Sequence, residues 1–268
     1  MGRWFAEQGI SALTYDKRGV GESTGDFRTV PFTDLAGDGL AAIEFLQHRA
    51  DVDSKQIGVW GLSQGGWLGP LAASQSKSVA FVIAVSGPGV SPGEQMIFYY
   101  ANQLRSRNIQ ESDIAEASEL RRMTWHFLST GEGSERLSKA LERAQSLSWF
   151  TALQDQPDGL FRRPAAEILH DTKIRSSLWF RDEMNYDPRT ALRQLRVPAL
   201  FLFGERDELV PVPTSVGIIR QTLREVGHRD FTIKVFPNAN HNLEVDSGSL
   251  APGYLETMRN WLHAKTAR

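Results

Sequence analysis

The chain has 268 residues, enough to bury a substantial core as one domain with room for an inserted subdomain. Hydrophobic residues make up 41% and charged residues 23%, ordinary for a globular protein, and thirty basic against thirty-two acidic side chains leave a formal charge of −2. Without a basic surplus or stripe the chain is not expected to bind nucleic acid, and a small or neutral molecule is the expected substrate.

The absence of cysteine removes disulfides, thiolate nucleophiles and thiolate-held metals together, and fits an intracellular protein. The longest apolar run, "VAFVIAV" (Val79 to Val85), is too short to span a bilayer. The opening "MGRWFAEQGI" carries no apolar signal core, and Ala6 breaks the myristoylation pattern. The expectation is a cytoplasmic protein with no membrane partner.

In chain order, "SALTYD" (Ser11 to Asp16) predicts a strand, and Phe32 to Arg49 a helix with Thr33 as its N-cap. "QIGVWG" (Gln56 to Gly61) predicts the next strand, followed by a helix from about Gln64 to Ser76. "VAFVIAVSG" is a nearly continuous apolar strand, the pattern of a strand covered on both faces. Later come a strand at Pro198 to Gly204, a helix at Val212 to Val226, a strand at Phe231 to Phe236 and a closing helix at Gly253 to Lys265. The alternation predicts a mostly parallel sheet wrapped by helices.

The interval Ser91 to Thr190 breaks that rhythm. It has helical periodicity in "ESDIAEASELRRMTWHFL" and no convincing strand. Residues 1–90 and 191–268 are therefore expected to form the core, and residues 91–190 a helical cap inserted over the strand ends, where open α/β sheets bind ligands. Its aromatic content only matches the 10% of the whole chain, so composition does not mark it as a lipid-seeking lid.

"GLSQGG" fits G-x-S-x-G from Gly61 to Gly65, with an apolar strand before it and an amphipathic helix after it. In that context Ser63 is the candidate nucleophile, held in a strained turn that needs small residues at Gly61 and Gly65. The bland alternative is a β-α turn with a helix-capping serine. A serine hydroxyl needs a base, and the base an orienting acid; in this architecture acid and then base follow the serine, each just after a strand. "LFGERDELVP" places Asp207 beyond the strand ending at Gly204, and "VFPNANHNL" places His241 beyond the strand ending at Phe236. Of the other histidines, His48, His126, His170 and His263 fall in or at the ends of predicted helices, and His228 precedes a strand. Glu205 is the fallback acid.

Ser63, Asp207 and His241 in that order, with "GLSQGG", "GERDELVP" and "NANHN", resemble the α/β-hydrolase superfamily. The chain is similar in these motifs to a bacterial group of serine esterases related to dienelactone hydrolases and prolyl-oligopeptidase catalytic domains. "YDKRGVGEST" (Tyr15 to Thr24) resembles the loop after an early strand in that group, and the resemblance is weakest over Ser91 to Thr190. Gly19 and Gly21 are expected to form a tight turn there, braced by an Asp16–Arg18 pair.

The resemblance also implies earlier strands and an oxyanion loop with a His-Gly type motif, and no His-Gly pair exists in the chain. One oxyanion donor, the backbone N–H of Gln64 at a helix N-terminus, is expected to remain. The strand implied between Ser11–Asp16 and Gln56–Gly61 is missing. The remaining two could pair directly, a second subunit in a homo-oligomer could fill the slot, or the chain could be a fragment of a longer product.

The resemblance implies a serine esterase with a Ser63–His241–Asp207 triad, acting on a small carboxylic ester with no cofactor and no metal. Thioesters and peptides are variants on the same machinery. The alternative from another class is a catalytically weak or inactive binding module on a hydrolase scaffold.

Overall fold

The computed structural model describes residues 1–246 and 248–266. These divide into two compact units, Met1–Val90 with Asp187–Arg268, and Ser91–Tyr186.

The first unit is built on four parallel strands, β1 (Val59–Leu62), β2 (Val82–Val85), β3 (Ala199–Gly204) and β4 (Phe231–Phe236), in the order β1-β2-β3-β4. The register sets Val59 opposite Val82, Val82 opposite Ala199, and Ala199 opposite Phe231. Every residue of β2 and β3 is buried, as their unbroken apolar sequences require.

Alternation along the strands divides the core in two. Val82 and Ala84 of β2, with Ala199, Phe201 and Phe203 of β3, pack in one cluster with Ile43, Leu192, Val216, Ile219 and Leu223. Those last residues come from α2 (Phe32–Gln47), α10 (Pro188–Gln194) and α11 (Val212–Glu225). Ile83 and Val85, with Leu200 and Leu202, meet Phe5, Tyr254, Met258, Trp261 and Leu262 of α1 (Gly2–Glu7) and α12 (Tyr254–Thr266) on the opposite side. The helix α3 (Gly65–Gln75) follows β1 directly, and a two-stranded antiparallel pair, β5 (Glu244–Val245) with β6 (Ser249–Leu250), follows β4.

Three expectations are corrected here. Ser11–Asp16 forms no strand; it is irregular, mostly exposed chain. Its β-prone sequence has no ladder partner, and a strand without a partner leaves its N–H and C=O groups to water. Direct pairing with β1 is therefore ruled out. Among the described residues β1 has β2 as its one strand neighbour, and all four residues of β1 are only half-buried. Second, α2 is capped by Pro31 and not by Thr33, which lies inside the first turn. Third, Asp16 and Arg18 do not pair. Arg18 places Nε and Nη2 on the two oxygens of Asp38 in α2, each at 2.6 Å, whereas Asp16 Oδ2 accepts from Glu22 N at 3.3 Å. The planar guanidinium of Arg18 thereby takes both oxygens of one carboxylate across the loop, which leaves Asp16 to the backbone of its own turn.

The second unit is helical throughout its described residues: α4 (Pro92–Arg105), α5 (Glu111–Thr130), α6 (Ser134–Ala144), and the short α7 (Phe150–Gln154), α8 (Ala165–His170) and α9 (Thr172–Arg175), then a π-helical turn at Trp179–Glu183. Ser91 caps α4 by accepting from Glu94 N, and Gly131 ends α5 at φ +82°. Trp125, Leu128, Leu137, Leu141, Trp149 and Phe161 form a core of its own. Inside it Arg121, 1% exposed, donates to Gln156 Oε1 at 2.5 Å and pairs with Asp158, its guanidinium 3.8 Å from the Tyr100 ring centroid. The chain returns to the first unit at Asp187, whose carboxylate caps α10 by accepting from Arg189 N at 3.0 Å.

Candidate active site

Ser63 stands between β1 and α3 with φ +55°, a left-handed conformation that serine adopts only when its surroundings impose it. The surroundings do so from both sides. Ser63 N donates to Val85 O at 2.8 Å, extending the β1–β2 ladder by one rung, and Gly66 N donates to Ser63 O at 2.8 Å. A Cβ on Gly61 would lie 2.5 Å from Gly65 O, and one on Gly66 would lie 2.2 Å from Gly87 Cα. Gly65 differs from its expected role, since a Cβ there meets nothing within 4 Å. The crowded partner of Gly61 is thus the backbone of residue 65 and not its side-chain position. Gly66 and Gly87, whose importance the motif did not reveal, are where α3 and the loop after β2 touch.

The loops after β3 and β4 are stitched together. Glu205 N donates to Phe236 O at 2.9 Å, Arg206 N to Ala239 O at 2.8 Å, and Asn238 N to Glu205 Oε2 at 3.0 Å. Glu205 is thereby spent on bracing. Asp207 faces His241, with Nδ1 to Oδ2 at 2.8 Å; its side chain is fully buried and that of His241 is 14% exposed. The other oxygen of Asp207 accepts from Leu209 N at 2.8 Å and Val210 N at 2.9 Å. An ionised carboxylate only accepts, so the proton belongs on His241 Nδ1, and Nε2 is the nitrogen left to act as a base.

Ser86, at the end of β2, was not anticipated from the sequence. It is fully buried at φ +49°, its N–H meets Leu202 O at 2.7 Å, and its Oγ donates to His241 O at 2.7 Å. The one available signal was its register: it follows Val85 on β2 as Ser63 follows Leu62 on the adjacent strand.

The structure thus brings Asp207 and His241 into direct contact and sets Ser63 at the same, C-terminal edge of the parallel sheet. No hydrogen bond joins Ser63 to His241 among the described residues. Gln64 follows Ser63 in helical conformation at the head of α3, and no protein acceptor takes its N–H among the described residues. A free amide at a helix N-terminus favours negative charge. The remaining histidines do not join this group; His48 Nδ1 lies 2.8 Å from Glu44 O, and His228 Nε2 lies 3.0 Å from Val197 O. Among the described residues no three His, Asp or Glu side chains gather to hold a metal, and no helix is long and apolar enough to cross a membrane.

The sequence profile of the hydrolase family described as serine aminopeptidase, S33, matches residues 1–248. A polyketide transferase of Penicillium sp. is 39% identical over 85 residues, 31% of this chain and 29% of its own. An uncharacterized 31.7 kDa protein of Escherichia coli is 25% identical over 211 residues, covering 77% of this chain and 66% of its own. A thiohydrolase of Arthrinium phaeospermum is 37% identical over 86 residues, 30% of this chain and 27% of its own. The matched stretches span less than two thirds of each relative's length. Among solved structures, the α/β-hydrolase GrgF from Penicillium sp. superposes with a TM-score of 0.59 at 18% identity over 100% of this chain and 84% of the other. An esterase of Pyrococcus furiosus gives 0.57 at 16% identity over 98% and 72%. At such identities the likeness concerns the fold, and the family match adds the lineage: the chain belongs to the serine aminopeptidase (S33) family and has the α/β-hydrolase fold.

Proposed function

We propose that the chain is a serine hydrolase that cleaves carboxylic esters of small acyl substrates through an acyl-enzyme on Ser63. The observation that carries this reading is the hydrogen bond at 2.8 Å from His241 to the buried Asp207 carboxylate, on the sheet edge where a strained serine precedes α3. Ser63 Oγ attacks the carbonyl carbon while His241 Nε2 takes its proton, and Asp207 holds the imidazole and balances the imidazolium. The tetrahedral oxyanion is met by Gln64 N–H. Collapse breaks the C–O bond, and the departing alkoxide takes the proton from Nε2. Water then attacks the acyl-enzyme, again giving its proton to Nε2, and Ser63 Oγ recovers that proton as the acid leaves.

The formal charge of −2 suits a small neutral ester, and neither cofactor nor metal is needed for these steps. Thioester cleavage is the second reading, favoured by relatives whose names are thiohydrolase and polyketide transferase. A thiolate leaves more readily than an alkoxide, so the same acyl-enzyme asks less of His241 as an acid. Initial rates on p-nitrophenyl acetate and on an S-acetyl thioester, for the wild type and Ser63→Ala, test both. We expect turnover of at least one substrate and loss of about 10⁴-fold or more in the variant. Equal rates in the two proteins would remove Ser63 from the chemistry. A folded wild type inert to both substrates would favour a binding module.

A further inference from the structure

The acyl transfer proposed above leaves the developing oxyanion with one assigned donor, Gln64 N–H. The side chain of that same residue is engaged by a group the reaction has not yet used. Lys17 Nζ donates to Gln64 Oε1 at 3.1 Å, and the same ammonium lies 3.6 Å from the centroid of the Phe27 ring.

The loop carrying Lys17 is fixed on either side of it. Ahead of it, Asp16 Oδ2 accepts from Glu22 N at 3.3 Å. Behind it, Arg18 clamps Asp38 of α2 through two contacts of 2.6 Å, and Arg18 O accepts from Phe27 N at 3.2 Å. Gly19 and Gly21 turn the chain at φ +73° and +56°, and a Cβ on Gly21 would lie 2.0 Å from Asp16 Oδ2. A lysine side chain free in solution samples many rotamers, so this much anchoring reduces the entropy still to be lost when its ammonium meets the ring and the amide. The result is a cation held against the residue that heads α3, immediately after the nucleophile.

We propose that Lys17 is a positioning residue of the acyl-transfer site: through Gln64 Oε1 it fixes Gln64 at the head of α3, and it places a positive charge on the side chain of the residue whose amide receives the oxyanion. The inference rests on the serine-hydrolase reading. A hydrogen bond from an ammonium is roughly twice as strong as one between neutral groups, and it restrains the residue whose N–H has to stay aimed at the reacting oxygen. Negative charge appears there only in the transition state, so the contribution belongs in kcat and not in KM. A direct oxyanion donor is worth about 10²–10³ in kcat; a group acting through its neighbour is worth less, and we set it at about tenfold.

The test is a double-mutant cycle on p-nitrophenyl acetate, with thermal melts and fluorophosphonate labelling of every protein. Lys17→Met keeps an unbranched stem over Phe27 without the charge, Lys17→Arg keeps the charge, and Gln64→Leu removes the acceptor. We expect Lys17→Met to lose about tenfold in kcat with KM and Tm unchanged, and Lys17→Arg to retain most of the activity. Gln64→Leu should lose a similar amount, and adding Lys17→Met to it should cost nothing more. Wild-type kcat in Lys17→Met, equal losses in the Met and Arg variants, losses that multiply in the double variant, or a loss that follows a lowered Tm would each overturn the proposal. With Ser63 labelled in the wild type, those outcomes sink Lys17 alone. A wild type that takes no label and turns over no ester sinks the serine-hydrolase reading, and Lys17 with it.

Discussion

Ser63 reaches φ +55° in a space where Gly61 and Gly66 leave no room for a methyl group, whereas Gly65 has open space around it. Alanine at these three positions should therefore separate. Gly61→Ala and Gly66→Ala each force backbone apart, and we expect a loss of about 2 kcal/mol or more in urea unfolding, or no soluble protein. Gly65→Ala lies in the first turn of a helix with room for a methyl, and we expect stability within about 0.5 kcal/mol of the wild type. Equal damage at all three would contradict the geometry. A second residue-scale test concerns Asp207. Asp207→Asn keeps an oxygen for Leu209 N and Val210 N but offers His241 a side chain that can stabilise the wrong tautomer; we expect kcat to fall by about 10⁴ with little change in Tm. An unimpaired kcat would take Asp207 out of the mechanism. The candidates Ser63, Asp207 and His241 could be singled out in the sequence because chain order and strand ends restrict where such residues can stand. Ser86, Gly66 and Gly87 could not, because each matters through a contact between segments far apart in the chain, a loop with a loop or a helix with a loop.

At the scale of elements, legibility followed the supply of partners. The strands ending at Gly204 and Phe236 and the helices after them emerge close to where the apolar pattern puts them, since the two strands pair with each other residue for residue. Ser11–Asp16 has equally suitable residues and no ladder to join, so its pattern misleads. The start of α10 shows the converse, a local signal strong enough to read once seen. Asp187 takes Arg189 N and also the Arg189 guanidinium at 2.8 Å, and that guanidinium holds its carboxyl below the ordinary value, with the backbone amide helping and burial opposing. A carboxyl lowered on folding stabilises the protein above its unfolded pKa of about 3.9, and the contribution fades as pH falls through the folded value. Asp187→Ala should cost about 1 kcal/mol at neutral pH, nearly all from the lost cap because the ion pair is solvent-screened. The difference from wild type should shrink below about pH 4; a difference that grows on acidification would be the wrong sign.

At the scale of the molecule, two units each carry their own core, and the helical one contains a buried charge. Removing Arg121 would leave Gln156 Oε1 and Asp158 without it in an apolar setting. We expect Arg121→Met to destabilise the chain by about 3 kcal/mol in denaturant titration, and an unchanged or higher midpoint would contradict that. A change of period in the sequence led to the expectation of a helical insertion over residues 91–190, but side-chain directions inside it were beyond reach, because helices of similar composition pack in many ways. The central claim is that Ser63 is a nucleophile activated by His241. Its most direct measurement is mass spectrometry of the folded chain after treatment with a fluorophosphonate, with the adduct mapped by peptide. A single adduct on Ser63, lost in His241→Ala, is the outcome we expect. A folded chain with no adduct, or one labelled equally well without His241, would contradict it.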